Sequence, residues 1–267
     1  MIPNMFFSST ELISLVYVFI IGLIIGSFLN TVIHRIPVMM NISGTRNKFR
    51  RYNLITPLSH CDNCFSLIPF YQNIPVISFI LLSGECPRCL TKISLIYPFI
   101  EILTGLVFVL IAFFYGLSEE LFLYSFLASA LIVVSVIDIK HLILPNQITY
   151  SIILSGLIIN TFYFDTPYLQ ILSGTIIGYL LLLTIEKVYY VITSSHGLGR
   201  GDAKLLAGIG SWIGIFKIPQ VLLVASCLGI IFFLYTSFTK DEELSFSKKI
   251  PFGPFLSLSV YLLILMN

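Results

Sequence analysis

The chain has 267 residues, of which 57% are hydrophobic and 10% charged, with a mean hydropathy of +0.97. Soluble domains carry about 25% charged residues, so a soluble globular protein is excluded and an integral membrane protein is expected. The formal net charge of +2 says little in itself, and no nucleic-acid partner is expected.

The first apolar run, 12–33, is long enough to span a bilayer. No basic residue precedes it, since the first Lys or Arg is Arg35, so it reads as a retained helix and not a cleaved leader. A spanning helix needs roughly 20 mostly apolar residues. Further candidates lie at 97–115, 121–138, 147–163, 168–190, 203–216, 219–238 and 252–266. The fold class expected is therefore an all-α polytopic membrane protein of about eight transmembrane helices. Orientation follows from the loops. If the segment after the first span is cytoplasmic, every one of the 15 Lys and Arg except Lys217 falls inside. That places both termini outside, and it puts Asp138 and Asp202 on the same, cytoplasmic side.

The one sizeable water-facing region is 35–96. Its basic run, Arg46 to Arg51, suits either plain positive-inside topology or an anionic inner leaflet. Ile74 to Leu82 is apolar but too short to span, and it is suited to the membrane surface or to packing on the small domain. Four of the five cysteines fall in Cys61-Asp62-Asn63-Cys64 and Cys86-Pro87-Arg88-Cys89. Each Cys-x-x-Cys turn offers two thiolates to one side of a metal, and two turns complete a tetrahedral site of four cysteines. In a cytoplasmic segment a structural zinc ion is favoured over disulfides or a redox pair. His60 reads as a loop residue, and Cys227 as packing within a span. No internal repeat is evident. The expected organisation is a first transmembrane helix (1–34), a small cytoplasmic four-cysteine zinc domain (35–96) and a membrane domain built from the remaining spans (97–267).

Asp138 closes the third apolar run. Asp202 stands in Gly197-Leu198-Gly199-Arg200-Gly201-Asp202-Ala203-Lys204, at the mouth of the sixth. Carboxylates at such depth are costly and mark functional sites by default. Each has a bland alternative: Asp138 could pair with Lys140 or His141, and Asp202 could cap a helix beginning at Ala203. Together, on one face, they favour an aspartyl protease dyad, in which two close carboxylates share a proton. Glu101 and Glu186 read as local anchors, and Asp241, Glu242 and Glu243 as a solvated loop.

These motifs resemble the type IV prepilin leader peptidases, relatives of the Gly-x-Gly-Asp membrane aspartyl proteases, over nearly the whole chain. The resemblance is carried by Gly26-Ser27-Phe28-Leu29-Asn30 with His34-Arg35-Ile36-Pro37, and by cysteine pairs flanking Asn73-Ile74-Pro75. It continues through Tyr97-Pro98 with Glu101, Asp138 with Leu144-Pro145-Asn146, Gly199 to Leu206, and Ile250-Pro251-Phe252-Gly253-Pro254. It implies that Asp138 and Asp202 are catalytic, supported by Gly199, Gly201 and Lys204, with Cys61, Cys64, Cys86 and Cys89 as metal ligands. It further implies a bacterial inner-membrane enzyme that cuts the basic leader from type IV prepilins or pseudopilins. The new N-terminus would then be methylated with S-adenosylmethionine as donor. One departure is Ile96, where members often carry a basic residue before Tyr-Pro. The alternatives are a peptidase without methylation, a zinc-stapled scaffold for pilus or secretion subunits that does not cut them, and a transporter with midplane carboxylates. Loss of either aspartate would spare the scaffold and silence the protease.

Overall fold

The computed structural model describes residues 9–40, 52–61, 63–164, 166–195, 197, 199–239 and 250–266. The basic run Arg46 to Arg51, Asp62 of the first cysteine motif, and the acidic run Asp241 to Glu243 lie outside the described residues.

Among the described residues the chain is all-helical, with only two isolated β-bridges, His60–Leu67 and Glu85–Lys92. The helices are α1 (Ser9–Met39), α2 (Ile77–Leu81), α3 (Ile96–Tyr115), α4 (Glu119–His141) and α5 (Asn146–Phe162). They continue as α6 (Tyr168–Thr193), α7 (Arg200–Ile213), α8 (Ile218–Thr239) and α9 (Gly253–Leu265). Each of the eight apolar stretches forms a helix. Among the described residues, five segments are long and apolar enough to cross a membrane: α1, α3, α4, α6 and the stretch Ile215–Phe238 that contains most of α8. The others are shorter. At about 1.5 Å per residue, the 14 residues of α7 extend about 21 Å, less than a hydrocarbon core of roughly 30 Å.

The chain divides into two compact units, Met1–Ser129 and Ala130–Asn267, with the division inside α4. In the first unit α1 lies along α3. A Cβ on Gly22 would fall 2.6 Å from Gly105 Cα, and one on Gly26 would fall 2.7 Å from Glu101 Cα. Gly22 and Gly26 are four residues apart, the small-residue spacing that lets membrane helices approach backbone to backbone. Lipid tails are as apolar as leucine, so this contact rests on close packing and not on expelled water.

In the second unit α7 is the central element. Leu205, Leu206 and Ile209 are fully buried, packed by α5 and α6. α6 approaches it through Gly178, where a Cβ would lie 2.8 Å from Leu206 O. Asn160 of α5 donates to Ser211 O at 2.9 Å and Trp212 O at 3.2 Å, satisfying carbonyls at the C-terminal end of α7. Trp212 Nε1 donates in return to Ile152 O at 3.0 Å. α7 stops at Gly214, whose φ of +74° suits a residue without a Cβ. α8 leaves most of its surface open, so Cys227 is exposed and not packed as expected from its apolar neighbours.

Candidate active site and metal centre

The two aspartates come together at the N-terminal ends of two short helices. Asp138 lies in the last turn of α4 and is buried. Its Oδ2 accepts a hydrogen bond of 2.9 Å from the Gly253 N–H, at the start of α9. The first N–H groups of a helix lack intrahelical partners and carry the positive end of its dipole, so a carboxylate is favoured there. Asp202 is likewise buried in the first turn of α7. The helix begins at Arg200, three residues before the expected Ala203, so Asp202 is not its cap. Instead its Oδ2 reaches back to accept the Gly199 N–H at 3.2 Å, while the Asp202 N–H donates to Gly199 O at 3.1 Å. This is the return half of a capping box, with a glycine where a serine or threonine commonly stands. Asp202 Oδ1 is buried with no hydrogen-bond partner.

Leu144 is the wedge between these ends. A Cβ on Gly201 would lie 2.7 Å from Leu144 Cβ, and one on Gly253 would lie 3.2 Å from Leu144 Cδ2 and 2.8 Å from Asp138 Oδ2. Any side chain at Gly253 would therefore meet a catalytic candidate directly. The chain turns toward Leu144 through Leu142, whose N–H donates to Asp138 O at 2.8 Å and whose φ is +54°. Asp138 and Asp202 are near enough for the charge of one to act on the other. Lys204 points elsewhere: its Nζ donates to Asn146 Oδ1 at 2.6 Å and lies 5.5 Å from the Tyr150 ring centroid. It ties the starts of α7 and α5 together.

In the first unit the sulfur atoms of Cys61, Cys64, Cys86 and Cys89 all lie within 4.8 Å of one another. Cys61 and Cys89 are 3.7 Å apart, and Cys64 and Cys86 are 3.9 Å apart. Bonds of about 2.3 Å in a tetrahedral site put sulfurs about 3.8 Å apart. A disulfide needs about 2.0 Å, and none of the four is so bonded. The donor set and spacing fit a closed four-sulfur metal site, and His60 is not one of the clustered groups.

The two cysteine turns are copies of one another, a local repeat not expected from the sequence. In each, the first cysteine N–H donates five residues ahead: Cys61 to Ser66 O at 3.0 Å, Cys86 to Thr91 O at 2.9 Å. In each, its carbonyl accepts four residues ahead, from Phe65 and Leu90, both at 2.9 Å and both with positive φ. Each second cysteine has a hydroxyl beside its sulfur: Ser66 at 3.1 Å from Cys64, Thr91 at 3.2 Å from Cys89. The signal was available, because Cys-Asp-Asn-Cys-Phe-Ser-Leu-Ile and Cys-Pro-Arg-Cys-Leu-Thr-Lys-Ile share a Cys, Cys, apolar, hydroxyl, Ile pattern. The Thr91 hydroxyl and N–H pull the Cys89 thiol down to about 6. The Cys89 and Arg88 N–H groups lower that of Cys86. At Cys61 the Cys64 N–H favours the thiolate, yet burial and the neighbouring sulfurs push the thiol up to about 11.

Two family models match the chain. Residues 20–115 match the bacterial peptidase A24 N-terminal domain, and residues 125–234 match the type IV leader peptidase family. A prepilin leader peptidase/N-methyltransferase of Neisseria gonorrhoeae is 36% identical, over 93% of this chain and 89% of that protein. One of Stutzerimonas stutzeri is 33% identical, over 99% and 95%. The chain belongs to the type IV leader peptidase family. It is accordingly a peptidase. An Escherichia coli family member described as a type 4 prepilin-like proteins leader peptide-processing enzyme is 36% identical, over 89% of this chain and 88% of that protein. No solved structure is significantly similar. The first family match lies within the first compact unit and contains all four clustered cysteines and Glu101; the second begins just before the division, at 125, and contains Asp138 and Asp202.

Proposed function

We propose that the chain is an aspartyl endopeptidase of the bacterial inner membrane that removes the leader of type IV prepilins or pseudopilins. Asp138 and Asp202 are its catalytic pair. The observation that carries this reading is the buried, unpartnered Oδ1 of Asp202 beside a second buried carboxylate anchored at a helix end. Two carboxylates so placed cannot both ionise easily and share a proton. One then takes a proton from water as it attacks, and the other, protonated, donates to the scissile carbonyl. Gly199 holds Asp202 through its N–H, and Gly201 leaves room for Leu144, while Lys204 fixes the approach of α7 to α5.

All eight helices that match the apolar stretches are membrane spans in this reading, the shorter three packed among their neighbours. The termini lie outside and the dyad faces the cytoplasm, where water reaches it. Residues 35–96 form a cytoplasmic domain stapled by zinc at Cys61, Cys64, Cys86 and Cys89, and 97–267 form the membrane peptidase domain. N-methylation of the new N-terminus follows cleavage. When bound, S-adenosylmethionine would supply a methyl group from its sulfonium, which would depart as a neutral thioether, and the chain's task is to hold the amine neutral and in line with that methyl.

The test is co-expression with candidate prepilins, with products weighed by mass spectrometry. The expected product is shorter by the leader and heavier by one methyl group. Intact substrate with the wild-type chain rejects the peptidase reading. A cut but unmethylated product, with donor in excess, leaves a peptidase alone.

A further inference from the structure

The stretch from Phe70 to Leu81 is built inside out. In α2, Ile77, Ile80 and Leu81 stand at i, i+3 and i+4, so they share one face. That face is the open one, with the three side chains 53%, 68% and 78% exposed. The inward face carries Ser78, which is buried and donates to Tyr71 O at 3.3 Å. Phe70 is 87% exposed, and Tyr71 and Ile74 are exposed beside it. A helix on a water-facing surface has the opposite pattern.

This apolar face is nevertheless held firmly, by a buried carboxylate. Glu101, near the start of α3, accepts the Val76 N–H at 2.8 Å. Val76 has a φ of +61°, which a β-branched residue rarely adopts, so its surroundings must impose it. Ser27 and Asn30 of α1 stand close enough to Glu101 to favour its charge, and Asn30 donates to Tyr97 O at 3.0 Å. α2 is thereby tied to the first turns of α3, a helix long and apolar enough to cross a membrane. The end of a spanning helix lies at the membrane boundary. An apolar face pinned there meets the junction of headgroups and acyl chains instead of water.

We infer that Phe70–Leu81 is an in-plane membrane anchor: Ile77, Ile80, Leu81 and Phe70 enter the bilayer surface, and the Glu101–Val76 hydrogen bond sets their angle. The anchor holds the cysteine cluster against the membrane beside the start of α3. It rests on α3 crossing the bilayer and not on the identity of the catalytic pair.

The chain has one tryptophan, Trp212, which is buried, so an added indole is distinguishable by subtracting the wild-type signal. The full-length Ile80→Trp protein is placed in liposomes containing phospholipid brominated either near the glycerol or near the chain end. The added emission is expected to be shifted to the blue and quenched most by the shallow bromine. Leu81→Trp, on the same face, must behave alike and serves if Ile80→Trp does not fold. An indole quenched by aqueous iodide and indifferent to brominated lipid overturns the anchor. So does one shielded from both, as contact with a second copy or another protein would produce. Adding Glu101→Ala should increase iodide quenching at least twofold. Glu101→Gln, which keeps an acceptor for the Val76 N–H, should not. If Glu101→Ala leaves the quenching unchanged, the latch is wrong and only the anchor stands.

Discussion

At the scale of single residues, the roles assigned to the carboxylates are separable from their contribution to folding. Asp138→Asn keeps an oxygen that can accept the Gly253 N–H, and Asp202→Asn keeps one for Gly199. Both proteins should insert and fold. Neither can share a proton across the pair, so cleavage should fall by at least roughly 10²–10⁴-fold, the span of general acid–base contributions. Cleavage by either variant at near the wild-type rate, measured on purified prepilin, would reject the pair. Gly253→Ala makes a finer test. Its Cβ would stand 2.8 Å from Asp138 Oδ2, so cleavage should drop even though no carboxylate is lost. Gly229→Ala is the control: its Cβ would meet nothing closer than 3.7 Å, in the middle of α8. There alanine should raise thermal stability by up to about 1 kcal/mol, through helix propensity, with cleavage unchanged.

At the scale of elements, the contact of α1 with α3 depends on three glycines. Gly105→Val would drive a branched side chain into Phe19, whose ring carbon lies 2.7 Å from the Cβ position. It should lower the unfolding temperature in detergent and loosen the first unit, with a cost of about 1–3 kcal/mol as for overpacked sites. A stability indistinguishable from wild type would show that the helices are not held at this distance. The helix positions themselves are legible in the sequence, because a bilayer imposes long apolar runs and the chain obeys. What lies between helices is less so. α7 starts at Arg200 because Asp202 folds back onto Gly199, a local polar exchange that hydropathy does not register. The small-residue spacing of Gly22 and Gly26 and the hydroxyls of Ser66 and Thr91 stand in the sequence, but neither changes its hydropathy pattern. The Glu101–Val76 bond could not have been read, since it depends on a left-handed valine that no propensity anticipates. For the aspartates the reverse holds: two costly charges at the edges of apolar runs announce themselves, whatever their precise hydrogen bonds.

At the scale of the whole molecule, the cysteine cluster and the aspartates are assigned to different stretches of the chain. The cysteine cluster belongs to the first unit and both aspartates to the second. Metal binding should be strongly dependent on pH. With the Cys61 thiol pushed up to about 11, metal must displace a proton there at neutral pH, whereas the Cys89 thiol, at about 6, is already ionised. Apparent affinity should therefore rise with pH between about 6 and 11, by about tenfold per pH unit for each proton displaced, and fall more steeply below 6. Competition against a chelator at several pH values measures this, and a flat profile would count against four-thiolate ligation. The same layout predicts that cutting and methylation come apart. Asp202→Asn should abolish cleavage yet still methylate a pilin supplied already processed, because methyl transfer needs no acid–base pair of carboxylates. Cys86→Ser with Cys89→Ser should release the metal and reduce methylation more than cleavage, since the second unit retains its own packed core around α7. Mass spectrometry of both products, in both variants, decides the matter. If loss of the metal abolishes cutting and methylation in equal measure, the first unit is not an independent methyl-transfer module. Its role would then be to present the substrate to the dyad, and the two activities would share one docking step.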